Sequence, residues 1–270
     1  MTKTIILLII AFVALMVFNF LVKALWRVRK DGWGAFWGKL KSAGQGPRVD
    51  ADAHYTEEEL RKFSLGNLYV YQQQGTLNTT FATGVLNNVR ETILYSYFSI
   101  KDHTSAVETL QWLASAPSQT AFHYVYEAFL QGKEGKKWLR AHEELKDHSD
   151  FVADCVEKLE NLQNNFEYLV SEGIVASQED MGRIGVLAWD AGRLNFIARL
   201  CHEQGFIDKD LCQQCVDVAF EMTKDAYTGW KDYAYSYVLG RTLSMGSANM
   251  SGLAKELLEK PESPWSYVKW

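Results

Sequence analysis

Leu187-Ala-Trp-Asp-Ala-Gly-Arg193 and Tyr237-Val-Leu-Gly-Arg241 bracket the stretch that decides the fold. Between them lie Leu194 to Gln204, a Gly205-Phe-Ile207 break, the run Leu211 to Met222, and Tyr227-Thr-Gly-Trp230. Projected at about 100° per residue, 187–201 sets Trp189, Arg193, Phe196, Ile197 and Leu200 on one face. Asp190 precedes Arg193 by the spacing at which helical side chains meet. Ala188, Ala191 and Gly192 flank that face and let another helix come close, while Asn195 and Arg199 fall on a different side. Asp208 can cap the next helix, whose inward stripe would be Leu211, Cys215, Val218, Ala219 and Met222. A third helix opens at Thr228 or Gly229, with Trp230, Ala234, Tyr237 and Arg241 on one face and Tyr233 and Val238 at its edges. One helix joins the two arginine faces, so they can pack as neighbours.

An arginine on such a face loses several kcal/mol of solvation unless it is paired. Asp190 is the natural partner for Arg193. Arg241 needs Asp190, Glu221 or Asp225 across an interface, or a ring such as Trp230 or Tyr237 to stack on. The candidate site is therefore Trp189, Asp190, Arg193, Trp230, Tyr237 and Arg241. One reading is a structural lock that fixes how the helices cross. The other is an anion or phosphate pocket built by Arg193, Arg241 and Asp190.

Working outward, helical signals continue in both directions. Thr56-Glu-Glu-Glu59 is a capping box for a helix reaching about Gln74 and ended by Gly75. Further helices are predicted over about 87–97, from Asp102 or Thr104 to just before Pro117, over 118–130, over 133–146 and over 149–171. In the last, Phe151, Cys155, Leu159, Leu162, Phe166 and Leu169 recur every three or four residues. No stretch alternates as a half-buried strand does. The expected fold class is all-α: a multi-helix globular domain over 56–260, with 261–270 as a tail. Tyr95, Tyr97, Phe98 and His123 read as core.

The amino terminus differs in kind. Ile5 to Val22 carries no charge, and with Thr4 and a snorkelling Lys23 it meets the about 20 residues a bilayer core requires. Residues 4–25 are therefore expected as an uncleaved transmembrane anchor, followed by a juxtamembrane segment and linker over 26–55. Within it, Trp33, Phe36, Trp37 and Leu40 share a face suited to the headgroup region. Lys23, Arg27, Arg29 and Lys30 follow the run and only Lys3 precedes it, which puts the helical domain on the cytoplasmic side of a bacterial inner membrane.

Over 270 residues the hydrophobic fraction is 47% and the net charge only −5, which excludes a disordered chain and offers no broad nucleic-acid-binding face. Cys155, Cys201, Cys212 and Cys215 have no disulfide-framework spacing. Cys212-Gln-Gln-Cys215 has redox-motif spacing, and with Cys201-His202 it could be drawn as a zinc site, but buried thiols account for it better. His142-Glu-Glu-Leu-Lys-Asp-His148 lacks the second histidine four residues on that a zinc protease needs. No metal or cofactor is expected, and no nucleophile motif is recognisable.

The residues of the opening stretch also carry a resemblance. Trp189-Asp190-x-Gly192-Arg193, Ala198-Arg199, Gly205-Phe-Ile207, Tyr227, Trp230 and Tyr237-x-x-Gly240-Arg241 resemble the bacterial family known as domain of unknown function 1266. Leu110-Gln-Trp112-Leu113 matches that family's upstream Leu-x-Trp-Leu element. Phe98-Ser99-Ile100 stands where the family tends to carry Trp-Gly-Ile. The resemblance implies a helical domain and brings no activity with it; the anchor is an addition to the family pattern. The expectation is a membrane-tethered module, non-enzymatic, that contacts the bilayer through residues 4–25 and binds or regulates a protein partner. The alternative is an enzyme or binding domain for an anionic small molecule.

Overall fold

A helix can be hydrophobic on one stripe only if something else is wet, and the helix Leu187–Glu203 has no wet side: every residue from Ala188 to Cys201 is buried. The computed structural model describes residues 46–270, and the other helices are arranged around this one. The anchor expected over 4–25 and the interfacial face of 31–41 lie outside the described residues. Among the described residues no helix is long and apolar enough to cross a membrane.

In chain order the helices are α1 (Glu57–Phe63), α2 (Asn67–Gln72), α3 (Asn87–Glu91), α4 (His103–Ala114), α5 (Pro117–Leu130), α6 (Gly135–Ala141) and α7 (Ser149–Ser171). They are followed by α8 (Gln178–Ile184), α9 (Leu187–Glu203), α10 (Lys209–Thr223), α11 (Trp230–Met245), α12 (Ser251–Glu259) and α13 (Pro264–Tyr267). Apart from an isolated bridge between Arg48 and Thr76, the described residues contain no strand. The domain is all-helical, as the sequence predicts.

Local signals set several boundaries. Thr56 and Glu59 form the reciprocal capping box at α1. Asp102 caps α4 with Ser105 answering it, and Asp208 accepts from the Leu211 amide at the start of α10. α7 spans the predicted 149–171, with Cys155, Leu159, Leu162 and Leu169 inward.

Other expectations are corrected. The predicted helix from 56 to 74 is broken by a tight turn, Ser64–Gly66, because the chain passes directly over Asn195 and Phe196 of α9: a β-carbon at Gly66 would strike Asn195. The predicted 133–146 helix stops at Ala141, where His142 turns extended (ψ 126°), so His142 and His148 do not share a helix. Residues 92–97 wind as a π-helix, with the Phe98 amide donating to the Ile93 carbonyl five residues back. That winding carries Tyr95 and Tyr97 outward; at 38% and 69% exposure they are surface rings rather than core. His123 is likewise exposed, on the outer side of α5. In α10 the buried face is Cys212, Cys215, Val216, Ala219 and Thr223, turned from the expected stripe so that Val218 faces solvent.

The largest correction concerns 261–270. These residues are not a tail: Ser263, Pro264, Trp265 and Val268 are buried. Trp265 stacks on Trp230 at 5.1 Å and donates its indole N–H to the Ser64 carbonyl at 2.9 Å. Trp230 donates in turn to the Val268 carbonyl at 2.8 Å, and Trp270 stands edge-on to Trp230 at 4.9 Å. Arg61 and Glu57 of α1 hold the Lys269 backbone from the other side.

The α9–α11 crossing is close because two glycines make it so. A β-carbon at Gly192 would meet the Tyr237 ring, and one at Gly240 would meet Trp189. The Tyr237 ring lies edge-on to Trp189 at 5.0 Å, one of the preferred aromatic geometries.

Candidate functional site

Asp190 is the centre of the signature, and its two oxygens do different things. Oδ1 pairs with Nη2 of Arg193 one turn along α9, as the spacing predicts. Oδ2 accepts the backbone amides of Ser118 and Gln119, at 2.9 and 3.1 Å. Those amides are the second and third of α5. The residue in the cap position is Ala116, which has no side chain to offer and sits at φ 53°. Asp190 therefore caps α5 from another helix, bringing a negative charge to the positive end of the helix dipole. Ser118 closes the loop by accepting from Arg193 Nη2 at 3.0 Å.

The same joint is tied a second time. Gln119 accepts from the Val186 amide at 2.9 Å, just before α9 begins. The Ala188 amide, otherwise an orphan at the helix start, donates to the Tyr227 hydroxyl at 3.0 Å, with Ser236 behind it. Tyr227 is thus a cap for α9.

Arg193 is buried, with its guanidinium 4.6 Å from the Trp189 ring and 5.5 Å from the ring of Trp112. Arg241 reaches the same indole at 5.8 Å, but it is half-buried and finds no carboxylate among the described residues. Among the described residues its one hydrogen bond goes from Nε to Asn249 at 3.4 Å, so Asp190, Glu221 and Asp225 are not its partners. Of the six candidate residues, Trp189, Asp190, Arg193, Tyr237 and Arg241 come together. Trp230 does not; it belongs to the aromatic cluster with Trp265 and Trp270.

Sequence projection missed Arg199. It is fully buried on α9, donating to the carbonyls of Thr79 (3.2 Å) and Ala82 (3.1 Å) and to the Thr79 hydroxyl (3.0 Å), with the Phe63 ring at 5.6 Å. Among the described residues no carboxylate pairs with it, and burial pushes its guanidinium down to about 10, still charged at neutral pH. It pins the 76–84 loop by solvating its carbonyls. The available signal was compositional: on a helix buried all round, a third charge has nowhere wet to go.

The cysteines are free and buried. Burial pushes Cys201 and Cys212 up to about 12, and Cys215 and Cys155 to about 11. Such thiols stay protonated near neutrality and make poor nucleophiles. Among the described residues, no group of His, Cys, Asp or Glu is placed to hold a metal ion. A pH dependence follows. These acids have folded values above their unfolded ones, so the unfolded chain releases protons first and stability falls as pH rises from about 9 towards 12. Tyr227, raised to about 12 by burial, adds to the loss above about pH 10. The urea midpoint should be level through neutral pH and decline above about 9. Iodoacetamide should leave the native chain unlabelled and modify the four cysteines in denaturant; rapid labelling of the native chain would contradict the burial.

The fold and this site define a class: an all-helical domain whose central helix carries a buried Asp–Arg pair capping a neighbouring helix. The chain belongs to the family described as Protein of unknown function (DUF1266), whose model matches residues 93–270. No curated protein and no solved structure matches the chain. Ser99 stands at φ 56°, in the left-handed region that glycine adopts at least cost.

Proposed function

We propose that this domain is a recognition module, held at a membrane by residues 4–25 with the helical domain on the cytoplasmic side, that binds a protein partner rather than transforming a substrate. The observation that carries this reading is the commitment of Asp190. It is the one carboxylate in the signature cluster, and both of its oxygens are spent on structure, one on Arg193 and one on the α5 amides. A general acid or base needs an oxygen free to reach a reacting proton. Beside this spent pair, the outer surface presents aromatic rings: Trp112 at 49% exposure and Tyr97 at 69%. Exposed Trp and Tyr are the side chains that most often anchor protein interfaces. The anchor rests on the uncharged run of 5–22 and the basic residues that follow it.

Photo-crosslinking in cells tests the reading. A photoreactive residue at Tyr97 or Trp112 of the full chain should yield a discrete adduct with another protein. The same residue at Tyr168, an exposed ring on α7, should not. No adduct from either position, or the same adducts from Tyr168, would overturn it. A phosphatase active only outside the cytoplasm, fused after Trp270, should be silent; activity would reverse the orientation.

A further inference from the structure

Around the Trp189 ring the protein gathers hydrogen-bond donors, two of which have no acceptor among the described residues. The Arg193 and Arg241 guanidinium groups lie 4.6 and 5.8 Å from its centroid, Tyr237 stands edge-on at 5.0 Å, and Tyr69 lies over it at 6.5 Å. The Tyr237 hydroxyl and the Trp189 indole N–H are both buried and both lack a partner among the described residues. Arg193 is engaged through Nε and Nη2, which leaves Nη1 uncommitted among the described residues. Among the described residues Arg241 uses only Nε. Burial raises the Tyr69 and Tyr237 hydroxyls, and the nearby charges of Arg241 and Arg193 pull them part of the way back.

A buried donor without a partner is costly, and native proteins seldom retain one without a use for it; here the two belong to rings in edge-on contact. Here they sit beside two cations from different helices. The nearest carboxylate, Asp190, is already saturated by Arg193 and the α5 amides. What completes such a group is an acceptor-rich anion. A carboxylate brings one charge and two oxygens; a terminal phosphate monoester brings up to two charges and three free oxygens, a closer match to two guanidinium groups and two neutral donors.

We propose that Arg193, Arg241, Tyr237 and Trp189, with Tyr69 beside them, form a binding site for one phosphate group, carried by a soluble phosphate ester or by a lipid headgroup. The site goes beyond the partner-binding role and does not depend on it. Arg241, half-buried on α11, is the entry residue: it meets the anion in solvent and brings it down towards Arg193. Tyr237 supplies the neutral donor beneath.

The full chain, purified in uncharged detergent, is titrated with inorganic phosphate and phenyl phosphate, with phenol as the neutral control. Thermal unfolding and calorimetry give the readouts. Phosphate or phenyl phosphate should raise the unfolding temperature and phenol should not. Arg241→Gln removes a side chain bonded only to Asn249, so it should fold and bind about tenfold more weakly or worse, as befits a lost charge-assisted bond. Tyr237→Phe keeps the ring packing and should weaken binding several-fold. A parent that ignores soluble phosphates but binds vesicles of phosphatidylcholine with phosphatidic acid, and not phosphatidylcholine alone, assigns the site to a lipid's terminal phosphate if both substitutions weaken that binding. No binding by any of these probes, or binding indifferent to both substitutions, overturns the proposal. Crosslinks from Tyr97 and Trp112 would stand in either event.

Discussion

Asp190→Ala should destabilise the helical domain by about 3–5 kcal/mol, the range for breaking one side of a buried ion pair. Two losses combine. Arg193 keeps its charge in a buried setting with only the Ser118 hydroxyl and the Trp189 carbonyl as acceptors. The Ser118 and Gln119 amides lose their cap, a deficit of about 1 kcal/mol that Ala116 cannot make good. Asp190→Asn keeps the volume and one acceptor oxygen, and should lose less. Urea unfolding followed by circular dichroism measures both, and a loss under about 1 kcal/mol for the alanine variant would mean that the pair does not lock the helices.

Trp265→Ala is the second large effect, also about 3–5 kcal/mol, as for other buried rings cut to alanine. The ring fills the space between Trp230, at 5.1 Å, and Tyr233, at 5.8 Å. Its indole N–H satisfies the carbonyl of Ser64, in the tight turn that passes over α9. Removing it leaves a cavity among Trp230, Tyr233 and Trp270 and an unpaired buried carbonyl. Trp265→Phe should recover much of the packing but not the hydrogen bond, and so fall between the two. If residues 261–270 were a loose tail, both variants would unfold with the parent.

The distance over which each feature is encoded decided whether it could be read in advance. Caps at Thr56, Asp102 and Asp208 are local, four-residue signals, and the helices they start lie where those signals put them. The pairing of Asp190 with Arg193 is equally local. The other half of Asp190's role spans about seventy residues of sequence. Its one advance sign was negative: an alanine before Pro117 where a capping side chain would be expected. Amphipathic projection failed at Arg199 for a physical reason, since a helix packed on every side has no polar face to reveal. It failed again at Tyr95 and Tyr97, where the π-helical turn departs from the 3.6-residue period on which projection depends. The last ten residues begin with Pro261, hold a second proline at Pro264 and have no helical periodicity, so no amphipathic signal marks them. Their tryptophans, Trp265 and Trp270, were the overlooked evidence that this segment is packed.

The central claim is that Asp190 and Arg193 act as one structural unit that joins α9 to α5, and a double-mutant cycle tests it most directly. Asp190→Asn, Arg193→Met and the double variant are compared with the parent by urea unfolding. The predicted coupling is about 2 kcal/mol, with the double variant more stable than the sum of the single losses implies, because neither charge is then left buried alone. Losses that add to within about 0.5 kcal/mol would contradict the account and show that the two residues hold the fold independently.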